Sequence, residues 1–300
     1  MPRTRRVSAE NAAAQEYDAS QTESSSRRAK GKRGGLENMP NMPLDILVEI
    51  MGYLMPMDLL NLARTSRDFR SFLMARSATP LWKAARQNVE GLPDCPVDLS
   101  EPAYANLAFD SHCHGCGQPG TKTILWALRV RFCPRCRHMN LKWCHNHRAS
   151  LFTEFCFDMV LPYTSDGGKR SHWHLASAVH GMTEIFDTLT KDELKDIVQK
   201  NKAIMDHAVQ CEMWQKRAAA LRNRELDDIR SRRLAGIVAK LRGLGWGAEL
   251  DQMAPEYKEL RLCPDVKQAK ELTERVWEKI EPAVVAYMQD LQLMAATADD

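Results

Sequence analysis

Cys113-His114-Gly115-Cys116-Gly117 and Cys133-Pro134-Arg135-Cys136 set two C-x2-C pairs in one stretch, with 16 residues between them. Two cysteines three positions apart can bend into a knuckle that points both sulfurs at one ion. Gly117 removes the Cβ penalty where such a knuckle needs positive φ. Four thiolates from two knuckles make a closed tetrahedral zinc site, with no coordination position left for water or substrate. The expected ligands are therefore Cys113, Cys116, Cys133 and Cys136, and the expected cofactor is a structural Zn2+. Between the pairs, Leu128, Val130 and Phe132 alternate with Ala127, Arg129 and Arg131, the period of a half-buried strand. That is the layout of a zinc ribbon. Lys122, Arg129, Arg131, Arg135 and Arg137 lie close in sequence. They form either a phosphate-binding face or local compensation for the thiolate charge, and compensation is the simpler reading.

Other chemistry-bearing residues are more scattered. Cys144 and His147 have ligand-like spacing, and His172 and His174 fall on one side of any strand they occupy, which leaves a second metal site open. Gly243-Leu244-Gly245-Trp246-Gly247 follows a helical pattern and has no Gly-Lys-Ser/Thr element, so it reads as a helix end with Trp246 docking back. No G-x-S-x-G, HExxH or P-loop occurs, and no catalytic residue is expected.

The elements that must position these groups begin upstream. Pro43 fits the first turn of a helix, and Ile46, Leu47, Ile50 and Leu54 recur at helical spacing. Pro56 interrupts, and Leu59, Leu60 and Ala63 belong to a second short helix. Ser66 can cap a third carrying Phe69, Phe72 and Leu73, and Thr79-Pro80-Leu81-Trp82 opens a fourth. Such a cluster carries more apolar surface than roughly 45 residues can bury alone, so part of it should meet a partner. The order Met42-Pro43-Leu44-Asp45-Ile46-Leu47, Leu54-x-Pro56-x-Asp58-Leu59-Leu60, Ala63-Arg64-Thr65-Ser66-Arg67, Leu81-Trp82 resembles the F-box. The resemblance implies a Skp-family adaptor, and through it a cullin, as partners, with Pro43, Ile46, Leu47, Leu54, Leu59, Leu60 and Trp82 as adaptor-binding residues.

Downstream, Ser100-Glu101-Pro102 starts a short helix with Tyr104, Leu107 and Ala108. Phe155–Pro162 and Lys169–Leu175 flank Asp166-Gly167-Gly168, the signature of a hairpin. Thr190-Lys191-Asp192-Glu193 is a capping box, and no Pro or Gly follows before Gly236. Leu194, Ile197, Ile204, Ala208, Cys211, Ala218 and Leu221 make an apolar seam, so one long helix or two in line is expected. Leu272, Val276, Trp277 and Ile280 form a last stripe, with Val284, Val285, Met288 and Leu291 in another beyond Pro282. Trp246 and Trp277 should be buried anchors. The helices, Leu92–Pro96, Pro102–Leu107, the cysteine tetrad, Leu241–Leu250 and Leu272–Trp277 occur in an order similar to that in F-box proteins of mushroom-forming fungi, over most of residues 40–290.

Composition bounds the function. A net charge of +3 over 300 residues is too mild to imply nucleic acid by itself. No run of 18 apolar residues exists, so no membrane span is expected, and the polar N-terminus does not read as a secretory signal. Nine cysteines without such a signal read as reduced thiols or metal ligands. A cytoplasmic or nuclear protein follows, and Arg27–Arg33 could serve import.

The expected fold is mainly α with a small β zinc-ribbon element, an N-terminal F-box of three to four helices and a C-terminal long-helix region. The expected divisions are a disordered basic tail (1–38), F-box (39–88), linker and short helix (89–112), four-cysteine zinc-ribbon-like module (113–148), hairpin or loop region (149–185) and helical C-terminal region (186–300). The expected function is the substrate-recognition subunit of a Skp–cullin–F-box ubiquitin ligase, whose catalysis resides in partner subunits. The zinc and C-terminal regions would then select an unknown protein target. The alternative is a zinc-dependent nucleic-acid or chromatin-binding regulator.

Overall fold

Prolines, hydroxyl caps and apolar stripes divide the chain into helices, and the computed structural model, which describes residues 43–144, 155–165 and 172–296, is mainly helical. The basic tail with Arg27–Arg33 lies outside the described residues. The chain divides into two units, Met1–Leu47 and Val48–Asp300. The described part of the first is Pro43–Leu47, at the start of α1 (Leu44–Gly52), where the Leu47 N–H donates to the Pro43 carbonyl at 3.1 Å. Pro43 and Ile46 are exposed there and Leu47 is buried.

In the second unit, Pro56 opens α2 (Pro56–Thr65), where its missing N–H costs nothing. The Asp58 carboxylate accepts the Met55 N–H at 3.2 Å. Ser66 caps α3 (Arg67–Leu73) by accepting the Phe69 N–H at 3.2 Å. α4 (Thr79–Gln87) begins at Thr79 itself, whose hydroxyl donates back to the Arg76 carbonyl at 2.7 Å, so Thr79 is not the cap its position suggests. Met51, Leu59, Ala63, Leu73, Leu81, Trp82 and Ala85 are buried. The Trp82 indole donates to the Leu73 carbonyl at 2.7 Å. The Asn88 amide donates to the Gly52 and Leu54 carbonyls at 2.8 and 3.1 Å, tying the end of α4 to the end of α1.

Ser100 caps α5 (Glu101–Phe109), which packs on α2 and α4. The Arg86 guanidinium donates to buried Glu101 at 3.1 Å and to exposed Asp94 at 2.5 Å, so the buried charges are paired. Arg64 of α2 pairs with Asp110 at the end of α5, and Asp110 also accepts from His112 at 2.6 Å. This carboxylate therefore joins the helical bundle to the start of the cysteine segment.

Then come α6 (Pro134–Asn140), β1 (Leu141–Cys144), α7 (Phe157–Val160), β2 (Thr164–Ser165) and β3 (His172–Leu175). The strands form one antiparallel sheet in the order β1-β3-β2. The expected first hairpin arm, Phe155–Pro162, is instead mostly the single helical turn α7 after a bridge residue at Cys156, and pairing with β3 starts at Thr164. Leu161 and Val160 are buried against Val179, Phe186 and Leu194, a core that continuous apolar sequence serves as well from a helix as from a strand.

After α8 (Ala176–Ile185), the capping box of Thr190 and Glu193 starts α9 (Lys191–Gly243), one continuous helix of 53 residues. It runs through Gly236, where a Cβ would sit 2.9 Å from Leu272 Cδ2. Glycine here admits a close side-chain approach instead of ending the helix. The end comes at Gly243, with Gly245 at φ +97° and the Trp246 N–H donating to the Leu241 carbonyl at 3.1 Å. α10 (Gly247–Met253), α11 (Lys258–Leu262) and α12 (Glu274–Ala296) close on it. α12 continues through Pro282, so its two apolar stripes belong to one helix. Leu234, Ile237, Leu241, Leu250, Leu260, Trp277, Val284 and Met288 share this core, and Trp246 packs half-buried against it. No helix among the described residues is long and apolar enough to cross a membrane.

Trp277 is 5% exposed, so Trp277→Ala should cost about 3–5 kcal/mol in chemical denaturation. Asp110 gives a pH signature. Burial pushes its carboxyl up, but the hydrogen bonds from His112 and Arg64 outweigh burial and hold it at about 2. The folded value lies below the ordinary carboxylate pKa of about 3.9, so this stabilisation is complete above that pH and is lost as pH falls towards the folded value. Asp110→Asn should be less stable than the parent at neutral pH, and the gap should close in acid denaturation. A gap independent of pH would exclude this role for the charge.

Candidate functional site

The cysteine centre is assembled from a loop and a helix start. Cys113 and Cys116 follow α5, with Gly117 at φ +73° as the knuckle requires. Cys133 is the N-cap of α6 and accepts the Cys136 N–H at 3.5 Å, so the second pair is preset by helix capping. The four Sγ atoms lie within 4.8 Å of one another. Cys116 and Cys133 Sγ are 3.8 Å apart, the edge of a sulfur tetrahedron with metal–sulfur bonds of about 2.3 Å. Cys113 Sγ accepts N–H groups from Gly115 at 3.4 Å and Cys133 at 3.3 Å. A Cβ on Gly115 would fall 2.9 Å from Cys136 Sγ, so the backbone is cradled against the sulfurs.

The electrostatics fit a bound cation. Burial pushes the Cys113 thiol up, but N–H donors from Cys133, Cys116 and Gly115 overcome this and bring it to about 6. Cys136 goes the other way, to about 12, because burial and the crowd of neighbouring sulfurs oppose a second thiolate. Donors favour thiolate while sulfurs repel it, and a metal ion resolves that conflict. These four cysteines could hold a metal ion, and they are the only such group among the described residues.

Between the pairs the expected strand is absent. Leu125 and Val130 form an isolated bridge closed by a turn through Trp126–Arg129. Arg129 adopts φ +56° and is anchored by Asp98 at 3.0 Å, the Trp126 carbonyl at 3.2 Å and His207 Nδ1 at 3.0 Å. Arg131, expected to point outward, is buried and donates to the carbonyls of Thr121 at 2.8 Å, Lys122 at 3.0 Å and Leu107 at 2.9 Å. Arg129 and Arg131 are thus structural, whereas Lys122 and Arg135 are exposed. From Ser111 to Cys144 the chain has no Asp or Glu at all.

Two clusters escaped sequence reasoning in part. His172 and His174 share one face of β3, as alternation implied, and meet on Asp158 of α7: His172 Nδ1 lies 2.7 Å from Oδ2 and His174 Nε2 3.0 Å from Oδ1. Asp158 gave no signal, since only the fold brings it to the strand. The side chain of Cys144 and all of His147 lie outside the described residues. On α9, Cys211 Sγ lies 3.6 Å from His207 Nδ1 and 3.4 Å from the Tyr104 hydroxyl. Burial pushes this thiol up, the reverse of an activated nucleophile. It packs with Tyr104, Leu107 and Trp126 in the core joining α5 to α9.

The residues expected to bind an adaptor separate by burial. Leu59, Leu60 and Trp82 are core and Leu54 is half-buried. The second unit instead exposes Val48, Ile50, Tyr53 and Met55, with Tyr53 77% exposed. Sequence spacing named the helices but could not say which face each one buries.

Residues 39–76 match the F-box domain family. No curated protein and no solved structure matches the chain. The segment of short helices, read above as apolar in excess of its own core, is thereby an F-box, which supports an F-box protein.

Proposed function

We propose that this chain is the substrate-recognition subunit of a Skp–cullin–F-box ubiquitin ligase, acting in the cytoplasm or nucleus without catalytic residues of its own. The observation that carries the reading is the exposed apolar row Val48, Ile50, Tyr53 and Met55 within the segment that matches the F-box domain. Large apolar side chains that the core does not need are what an adaptor groove would cover. Pro43 and Ile46 are assigned to adaptor binding as well, while Leu59, Leu60 and Trp82 support it from within.

The cysteine centre is assigned a structural Zn2+. Its thiolates close the coordination sphere, so zinc would supply folding energy to the segment and no Lewis-acid chemistry. Purified protein should carry about one zinc per chain. Cys116→Ser should lose it, and Gly115→Ala should weaken it through the Cys136 clash. A well-folded protein that stays metal-free at nanomolar free zinc would exclude the assignment.

Adaptor capture is the deciding measurement. Val48→Asp with Tyr53→Ala should abolish co-precipitation of a Skp-family adaptor, since a central anchor typically contributes about 2 kcal/mol or more, roughly 30-fold in affinity. Zinc content and thermal stability should stay at parental values. Leu59→Ala, by contrast, should lower stability by about 2–5 kcal/mol as a core deletion. Capture that survives the double change and deletion of residues 39–76 would refute the receptor reading.

A further inference from the structure

Among the cysteines whose burial is described, Cys116 is the exposed one. Cys113, Cys133 and Cys136 of the same centre are buried, as are Cys211 and Cys263, while Cys95 and Cys156 are half-buried. The exposure belongs to the knuckle as a whole, since residues 114–120 are exposed without a break. A Cβ placed on Gly117 or Gly120 would meet nothing within 4 Å, so the outer side of this loop is open. Its inner side is closed, with Gly115 lying against Cys136 Sγ. The sulfur centre therefore has one open corner, at Cys116, and three buried ones.

An oxidant that reaches this corner finds a second sulfur beside the first. Cys116 and Cys133 Sγ are 3.8 Å apart, and a disulfide needs about 2.05 Å. The two residues come from different pairs, with 16 residues between them, yet the fold already holds them together. Cys133 is fixed as the N-cap of α6 by the Cys136 N–H at 3.5 Å. Cys116 sits in the open loop between Gly115 and Gly117, so the approach falls to Cys116. Cys113 is the less available partner, because its Sγ is held by the N–H groups of Gly115 and Cys133. In a reducing compartment, a disulfide that forms under oxidant is a transient signal and not a permanent staple.

We infer that Cys116 is an oxidation site and that the cysteine centre is a peroxide-responsive switch. The Cys116 thiolate attacks one oxygen of hydrogen peroxide. An S–O bond forms, the O–O bond breaks and hydroxide leaves with its electron pair, which gives a sulfenic acid. The Cys133 thiolate then attacks the Cys116 sulfur; the S–S bond forms, the S–O bond breaks and a second hydroxide leaves. Two thiolates have lost two electrons, the peroxide has gained them, and two protons from solvent convert the hydroxides to water. A thiol reductant reverses the bridge by exchange. The consequence rests on the zinc assignment above. Cys113 and Cys136 would be the ligands left, too few for a structural site, and the ion departs with the folding energy it supplied. The bridge itself needs only the sulfurs.

The test treats the full, zinc-loaded chain with limiting hydrogen peroxide. A chromogenic chelator follows the metal, and alkylation with peptide mass spectrometry maps the cysteines. Zinc should leave in step with disulfide formation, and the first bridge should join Cys116 to Cys133. A thiol reductant with added zinc should restore the starting state. Cys116→His keeps a full ligand set, since imidazole also serves in structural zinc sites, but removes the exposed sulfur; release of zinc by peroxide should slow at least about tenfold. Should that variant hold no metal, the map of the parent chain decides alone. Zinc retained under excess peroxide, first oxidation at another cysteine, or a first bridge from Cys116 to Cys113 or Cys136 would overturn the inference. A chain that holds no zinc before oxidation, yet forms the Cys116–Cys133 bridge, would refute the zinc assignment and leave the oxidation site standing.

Discussion

The buried guanidinium of Arg131 is the fastening on which the cysteine segment depends. It has no carboxylate in contact; its partners are the carbonyls of Leu107 at the end of α5 and of Thr121 and Lys122 in the loop between the cysteine pairs. Burial pulls its pKa down, yet an arginine stays charged in protein interiors. The opposite charge that acts on it is the Asp110 carboxylate at the end of α5, which works against the effect of burial. Arg131 therefore ties the loop between the cysteine pairs to the end of α5. Since α5 packs on α2 and α4, and Arg64 and Asp110 bridge α2 to its end, the cysteine cluster inherits its position from these helices.

This coupling also explains what was legible in the sequence. The clustering of the four cysteines was legible because C-x2-C spacing is dictated by local geometry, a loop knuckle in one pair and a helix N-cap in the other. The intervening chain was not. Its alternation of Leu128, Val130 and Phe132 with arginines has the period of a strand, but Arg131 faces inward onto carbonyls and Arg129 takes a left-handed turn without being glycine. Pattern reading assumes that arginine marks the solvent side. A fold that uses arginine to satisfy orphan carbonyls inverts that assumption, and nothing in the residue string announces it.

The helical regions show the same division. Caps and breakers foretold the boundaries: Ser66, Ser100, Thr190 with Glu193, and Gly243 all act as their chemistry requires. Facing was less accessible. Leu59 and Leu60 are as apolar as Val48 and Ile50, and only the packing of α2 against its neighbours buries the first pair and leaves the second outside. Gly236 and Pro282, both punctuation by rule, sit inside continuous helices, Gly236 because Leu272 occupies the space of its missing side chain.

The long helix sets how these parts can cooperate. α9 contributes Leu194 to the core with Val160, Val179 and Phe186, Ala208 and Cys211 to the core around Trp126, and Leu234 to Leu241 to the C-terminal core. Between Gln215 and Arg232 none of its residues is buried, a span of about 27 Å at helical rise. Only Leu226 and Ile229 are half-buried along it, so its own sequence must carry most of its helical stability. Ala218-Ala219-Ala220 are the strongest helix formers, and Arg222–Glu225 and Asp227–Arg230 pair at three-residue spacing. The expected apolar seam stops at Cys211: Ala218 and Leu221, assigned to it by spacing, are exposed, and polar, alanine-rich sequence leaves the span bare. Capping, propensity and short-range ion pairs thus do along this span what the hydrophobic core does elsewhere, and they hold the C-terminal core at a set distance along α9 from the core around Trp126.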